Sequence, residues 1–132
     1  LKKFCKKHPH ANISVTINGG DQTRDFIFVE DVIKIMLLSM KKIQNNKKYE
    51  IFNVGTNRSV TINYLYSLIK NKLGSKSKFK KRKLDKFDPR KSSGTFKKLN
   101  KFLNLKKSFF TKLEDGIQKT IDYWNIKFLY LF

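Results

Sequence analysis

Short runs with a two-residue apolar period alternate along this chain with longer runs whose apolar residues share one helix face. That alternation restricts the fold to the α/β class. Ile13-Ser14-Val15-Thr16-Ile17 has the period of a half-buried strand, and Asn18-Gly19 after it tolerates positive φ, the signal of a hairpin or tight turn. Asp25 to Val29 reads as a second extended segment. From Asp31 to about Ile43 the pattern becomes helical: Val32, Ile35, Met36 and Met40 share a face that Ile33 and Leu37 widen. Acids at its start and Lys41-Lys42 at its end suit the helix dipole.

After a polar turn over Gln44–Lys48, Tyr49–Val54 reads as a short buried strand ending in the turn Gly55-Thr56-Asn57. Thr61 is placed to cap a helix from Ile62 to Leu73, with Ile62, Leu65, Leu68 and Ile69 on its apolar face and Gly74 at its C′ position. Ser75–Lys91 is strongly basic and nearly aperiodic, as expected of a segment running extended over the surface. A short helix over about Thr95–Leu103 follows. Thr111-Lys112-Leu113-Glu114 has the form of a capping box opening a last helix, with Leu113, Ile117, Thr120, Ile121 and Trp124 along one side. The expectation is one α/β domain over residues 1–127 and an apolar tail over 128–132. It has too few strands for a complete doubly wound sheet.

Composition narrows the function. The net charge is +20, from 30 basic and 10 acidic residues, a field strong enough to hold a polyanion nonspecifically. Yet 26 of those bases are lysines and only four are arginines, Arg24, Arg58, Arg82 and Arg90. Interfaces that read bases lean on arginine, and abundant Asn, Ile and Phe accompany the lysines, as AT-rich coding would produce. Specific nucleic-acid binding is therefore not expected. The longest apolar region, Val29–Met40, is interrupted by Glu30, Asp31, Lys34 and Ser39, so no membrane span is expected. Leu1–His10 is basic and lacks the apolar segment of a secretory signal. One cysteine, Cys5, fits a reducing, cytoplasmic setting. With His8 and His10 it finds no fourth ligand, so no metal is expected.

Arg24 stands at the mouth of the second extended segment, within Asp21-Gln22-Thr23-Arg24-Asp25-Phe26-Ile27-Phe28-Val29-Glu30-Asp31-Val32. A guanidinium there is suited to gripping a phosphate with two parallel hydrogen bonds; the alternative is an ion pair with a neighbouring acid such as Glu30. This run resembles the signature of the extended short-chain dehydrogenase/reductase enzymes, the nucleotide-sugar epimerases and dehydratases. Three further blocks are similar in the same order: Ile51-Phe52-Asn53-Val54-Gly55-Thr56, Val60-Thr61-Ile62-Asn63-Tyr64-Leu65, and Asp88-Pro89-Arg90-Lys91-Ser92-Ser93 through Lys97, then Leu113-Glu114-Asp115-Gly116-Ile117 to Trp124. The resemblance implies an incomplete Rossmann-type fold, its C-terminal substrate-binding portion, with Arg24 on the diphosphate of a nucleotide sugar and Asp88 on the ribose hydroxyls. A turn aspartate before Pro89 is the other reading of Asp88. Two positions depart from the pattern: Asp85 stands where the family has a second arginine, and Phe87 where it has glycine.

The reaction of these enzymes needs NAD or NADP on a glycine-rich turn and a tyrosine acid/base with a lysine four residues on. The six glycines, Gly19, Gly20, Gly55, Gly74, Gly94 and Gly116, lack G-x-x-G-x-x-G spacing. Tyr66/Lys70 and Tyr123/Lys127 have the tyrosine-lysine spacing, but at a frequency that abundant lysine produces by chance. No catalytic, cofactor-binding or metal residue is assigned to this chain. The sequence starts at Leu1, and the expected reading is a truncated enzyme whose missing N-terminal half binds NAD(P). Its partners would be that cofactor domain, a nucleotide-sugar substrate, and a second copy of the parent in a homodimer. Two other readings stay open: a basic domain that binds nucleic acid or another polyanion (Phe79-Lys80-Lys81-Arg82-Lys83 has the composition for it) and an inactive remnant.

Overall fold

A computed structural model describes residues 14–43 and 49–130. Cys5, His8, His10 and the polar turn over Gln44–Lys48 lie outside the described residues. In chain order the elements are β1 (Ser14–Asn18), β2 (Thr23–Asp25), α1 (Val29–Ile43), β3 (Ser59–Thr61), α2 (Ile62–Leu73), β4 (Lys78–Arg82), α3 (Lys97–Leu103), a 3₁₀ turn (Lys107–Phe109) and α4 (Leu113–Tyr130).

The strands form two small pairs. β1 runs parallel to β4, Ser14 opposite Lys78 through Asn18 opposite Arg82, and β2 runs antiparallel to β3, Thr23 opposite Thr61. Asn18-Gly19-Gly20 is therefore a tight turn and not a hairpin: it carries the chain from one pair to the other. Gly19 and Gly20 take φ of 71° and 111°, which side chains other than glycine rarely tolerate. The Gln22 amide closes the turn, accepting from Gly20 N–H and donating to the Asn18 carbonyl at 2.6 Å.

Three expectations shift. The second strand is Thr23–Asp25 instead of Asp25–Val29, because the Phe28 carbonyl already accepts the N–H groups of Asp31 (3.1 Å) and Val32 (3.4 Å) and so starts α1. The basic stretch contains β4, held to β1 and anchored where Phe79 meets the edge of Tyr66 at 5.2 Å. Tyr49–Val54 forms no strand ladder among the described residues. Its alternation is real, since Phe52 and Val54 pack on the core while Tyr49 and Ile51 stay 88% and 64% exposed. Strand character needs a neighbour, and none of the described residues supplies one.

The helix ends follow local chemistry. Thr61 Oγ1 accepts from Tyr64 N–H at the start of α2, and Gly74 ends it at φ 60°, its N–H on the Asn71 carbonyl. At α4 the Thr111 hydroxyl does not serve the expected capping box. It donates to Asp31 at 2.9 Å, and Thr111 N–H donates to the other oxygen at 2.7 Å. α4 also runs on past Trp124 to Tyr130, so the apolar tail begins as helix; Leu131 and Phe132 lie outside the described residues.

The core sits between α1, α3 and the 3₁₀ turn, where Ile35, Leu99 and Phe110 are buried with Ile27, Phe52, Val54, Phe96 and Leu103 against them. Phe96 meets Phe110 edge-on at 5.0 Å, a geometry that adds to plain burial. The face expected of α1 is only partly used. Ile35 is buried, whereas Met36, Met40, Ile33 and Leu37 are all at least half exposed.

Candidate functional site

β2 sits at the centre of the candidate site. β3 pairs along one edge; along the other, Thr23 N–H donates to the Arg90 carbonyl (2.9 Å) and Ser92 N–H to the Thr23 carbonyl (3.1 Å). The loop over 88–92 is thereby laid beside Arg24. The Arg24 guanidinium donates from Nη1 to the carbonyls of Thr23 and Pro89, both at 2.8 Å, and from Nη2 to Asp88 Oδ1. The two residues singled out from sequence, 64 positions apart, thus form one ion pair with side chains 24% and 37% exposed. Glu30 is not its partner: it faces Lys119 at 3.2 Å.

A pair this exposed contributes about 0–1 kcal/mol to stability. Its larger consequence is geometric. Two of the five guanidinium N–H groups hold the loop, a third is on the neighbouring Thr23 carbonyl, and two have no acceptor among the described residues. Asp88 also occupies a turn, as the alternative reading expected, since its N–H donates to the Asp85 carbonyl at 3.1 Å. Asp85 Oδ1 in turn accepts Phe87 N–H at 2.9 Å, so the residue that departs from the family's arginine is the one that closes this turn.

Sequence reasoning missed Asp25. Its Oδ2 accepts N–H from Thr56 (2.9 Å), Asn57 (2.9 Å) and Gly94 (3.3 Å), and its Oδ1 accepts the Thr56 hydroxyl. One carboxylate thus joins β2, the Gly55-Thr56-Asn57 turn and the segment leading into α3. The signal was an acid placed directly between Arg24 and the apolar run Phe26-Ile27-Phe28, where burial demands a partner. Gly55 and Gly94 pack face to face beneath it: a Cβ on Gly55 would lie 2.7 Å from Gly94 Cα. Asp31, 1% exposed, ties α1 to the start of α4 through Thr111.

A cleft of about 370 Å³ is lined by Arg58, Val60, Thr61, Tyr64, Lys112, Leu113 and Glu114, with neither Arg24 nor Asp88 in its lining. Tyr64 Oη donates to Glu114 Oε1 at 2.9 Å. That bond, then the carboxylate's charge, holds the phenol above its ordinary value. Glu114 is held below its own, first by its backbone N–H and then by Tyr64. Of the two tyrosine-lysine spacings, Tyr66 Oη is within 3.0 Å of the Ser77 carbonyl, and Tyr123 lies edge-on to Trp124 at 5.9 Å.

Among the described residues no three His, Cys, Asp or Glu side chains come together as a metal site, and no helix is long and apolar enough to cross a membrane. Among the glycines, Gly74 ends α2, Gly116 lies inside α4, and Gly55 and Gly94 fill each other's space.

The model of the NAD dependent epimerase/dehydratase family matches residues 2–55. The UDP-glucuronate 4-epimerase of Thermodesulfobacterium geofontis is 26% identical over 105 residues, which are 79% of this chain and 31% of that protein. The UDP-glucose 4-epimerase of Thermotoga maritima, solved with UDP-glucose, superposes with a TM-score of 0.75 at 29% identity, over 96% of this chain and 40% of that one. The UDP-glucuronic acid 4-epimerase of Bacillus cereus, solved with UDP-glucuronic acid and NAD, gives 0.74 at 25% identity, over 94% and 38%. The chain spans between 22% and 41% of the length of the curated relatives it matches. Over residues 2–55 the chain resembles the NAD-dependent epimerase/dehydratase family, and over nearly all of its length it has the fold of part of a Rossmann-type extended short-chain dehydrogenase/reductase.

Proposed function

We propose that this chain is the nucleotide-sugar-binding portion of a cytoplasmic NAD(P)-dependent epimerase or dehydratase. The observation that carries the reading is the convergence of Arg24 and Asp88 on one loop. With two N–H groups on that loop and a third on the Thr23 carbonyl, Arg24 keeps two to meet oxygens of a diphosphate, while Asp88 Oδ2 accepts from a ribose hydroxyl. NAD or NADP would be held by a separate cofactor-binding half, where it would supply reversible oxidation of the sugar. The residues described here bind and orient the substrate and carry no step of that chemistry.

Exposed apolar residues support a neighbouring cofactor half. Tyr49 (88%) and Ile51 (64%) are exposed on a segment with strand alternation and no strand beside it among the described residues, and Met36 (58%) and Met40 (64%) are exposed on α1. An edge of this kind invites a neighbouring strand, and the apolar residues invite cover.

The test is calorimetric titration of UDP-glucose and UDP-glucuronic acid into this chain joined to the cofactor half of a relative. Arg24→Ala is expected to weaken binding about tenfold or more, the scale of a lost charge-assisted contact. Unchanged affinity would remove Arg24 from the site. One observation favours a second reading, a polyanion-binding face: Lys78, Lys80 and Arg82 alternate on one side of β4 and are exposed. That reading predicts a steep loss of DNA or RNA affinity with salt, and Arg24→Ala no worse than any single lysine change.

A further inference from the structure

Phe87 is 83% exposed, next in sequence to Asp88, at the apex of a turn that Asp85 closes twice. Asp85 holds Phe87 N–H with its side chain (2.9 Å) and Asp88 N–H with its carbonyl (3.1 Å), so the backbone under the ring is fixed. Lys86 Nζ lies 4.8 Å from the ring centroid, leaving an aromatic plate that faces solvent. Phe87 is not among the residues packed on the core.

We infer that Phe87 is a stacking platform for the nucleobase of the bound nucleotide and helps to set which bases are accepted. This rests on the proposed nucleotide-sugar site. If Asp88 takes the ribose hydroxyls, the base lies beyond the ribose on its other side. The residue carrying the ring is one Cα step, about 3.8 Å, from Asp88. A phenyl face with a cation behind it offers every base a π surface and no hydrogen bond, so discrimination follows ring size and stacking strength. Asp85 and Phe87 then act as a unit: the carboxylate that replaces a phosphate-seeking cation builds the turn, and the ring that replaces glycine supplies contact area.

The test uses this chain with UDP and inorganic pyrophosphate as probes. In a Phe87→Trp, Trp124→Phe variant, indole emission is expected to be quenched saturably by UDP but not by pyrophosphate. Phe87→Ala should raise the UDP dissociation constant about tenfold, leave that of pyrophosphate unchanged, and be rescued by Phe87→Tyr. Equal UDP affinity in wild type and Phe87→Ala, with Arg24→Ala weakening both probes, would overturn the platform and leave the diphosphate site standing. Failure of the wild-type chain to bind either probe would overturn both. At 83% exposure, truncating Phe87 does not threaten the fold, and overlaid circular dichroism spectra are the check.

Discussion

Asp25→Ala should be among the most damaging single changes outside the core. It removes an acceptor from three backbone N–H groups, on Thr56, Asn57 and Gly94, and from the Thr56 hydroxyl. A hydrogen bond to a charged group is worth about 1.5–3 kcal/mol, but these four share one carboxylate and water reaches Asn57. Two well-shielded bonds at the low end of that range give about 3 kcal/mol. With a urea m-value of about 1.5 kcal/mol/M, the unfolding midpoint should fall by about 2 M. The assay is urea denaturation followed by far-ultraviolet circular dichroism. Amide hydrogen exchange of the folded fraction should show faster exchange at Thr56, Asn57 and Gly94 and little change in α2. A midpoint shift below about 0.5 M, with those three amides still protected, would refute the reasoning.

Asp31→Ala frees Thr111 N–H and its hydroxyl in a site 1% exposed, and should cost about 3 kcal/mol, read as a lower urea midpoint. Gly55→Ala should cost more than Gly74→Ala: the first drives a Cβ to 2.7 Å from Gly94 Cα, the second meets nothing and costs about 1 kcal/mol of left-handed backbone strain. The reverse order of melting temperatures would contradict this. Glu114, with its folded value depressed, contributes stability above its ordinary value of 4.5 that is lost as pH falls through the folded value. Tyr64, with its folded value raised, contributes stability below 10.0 that is lost as pH rises through its own. Tyr64→Phe should therefore bring the Glu114 midpoint upward in an NMR titration, and should abolish the alkaline loss. Asp88→Asn should weaken UDP binding if the Arg24 pair persists in the complex, and strengthen it if Arg24 must first leave Asp88; competition titration with pyrophosphate reports which.

What could be read from the sequence was what local chemistry decides. Thr61 caps α2 because its hydroxyl meets the N–H three residues on, and Gly74 ends it because only a residue at ease near φ 60° fits there. Arg24 and Asp88 could be named, but not their contact, because nothing between two residues 64 positions apart fixes their distance. Pairing partners were illegible for the same reason. Asn18-Gly19 looks like a hairpin turn whichever strand β1 joins, and only the fold sends β1 to β4. Tyr49–Val54 was read as buried from its composition, yet burial depends on what stands beside it. The polar hubs were missed because Asp25 and Asp31 resemble ordinary turn and helix-start acids until the amides that converge on them are known.

On the proposed function, Arg24 has two jobs that compete for the same donors. The loop over 88–92 is laid along β2 by backbone bonds at Thr23, but its carboxylate and the Pro89 carbonyl are drawn in by Nη1 and Nη2. An arginine spent entirely on its own loop would leave nothing for a ligand. An arginine with all five donors open would leave Asp88 unplaced. If Arg24 and Asp88 meet a nucleotide sugar as proposed, the division between three engaged donors and two without an acceptor among the described residues arranges the diphosphate and ribose contacts before any ligand arrives, which lowers the ordering cost of binding. The same reading predicts that lysine, of which the chain has 26, is no substitute at position 24. An ammonium has three donors on one atom and no plane. It would hold the loop or meet the ligand, but not both in fixed register.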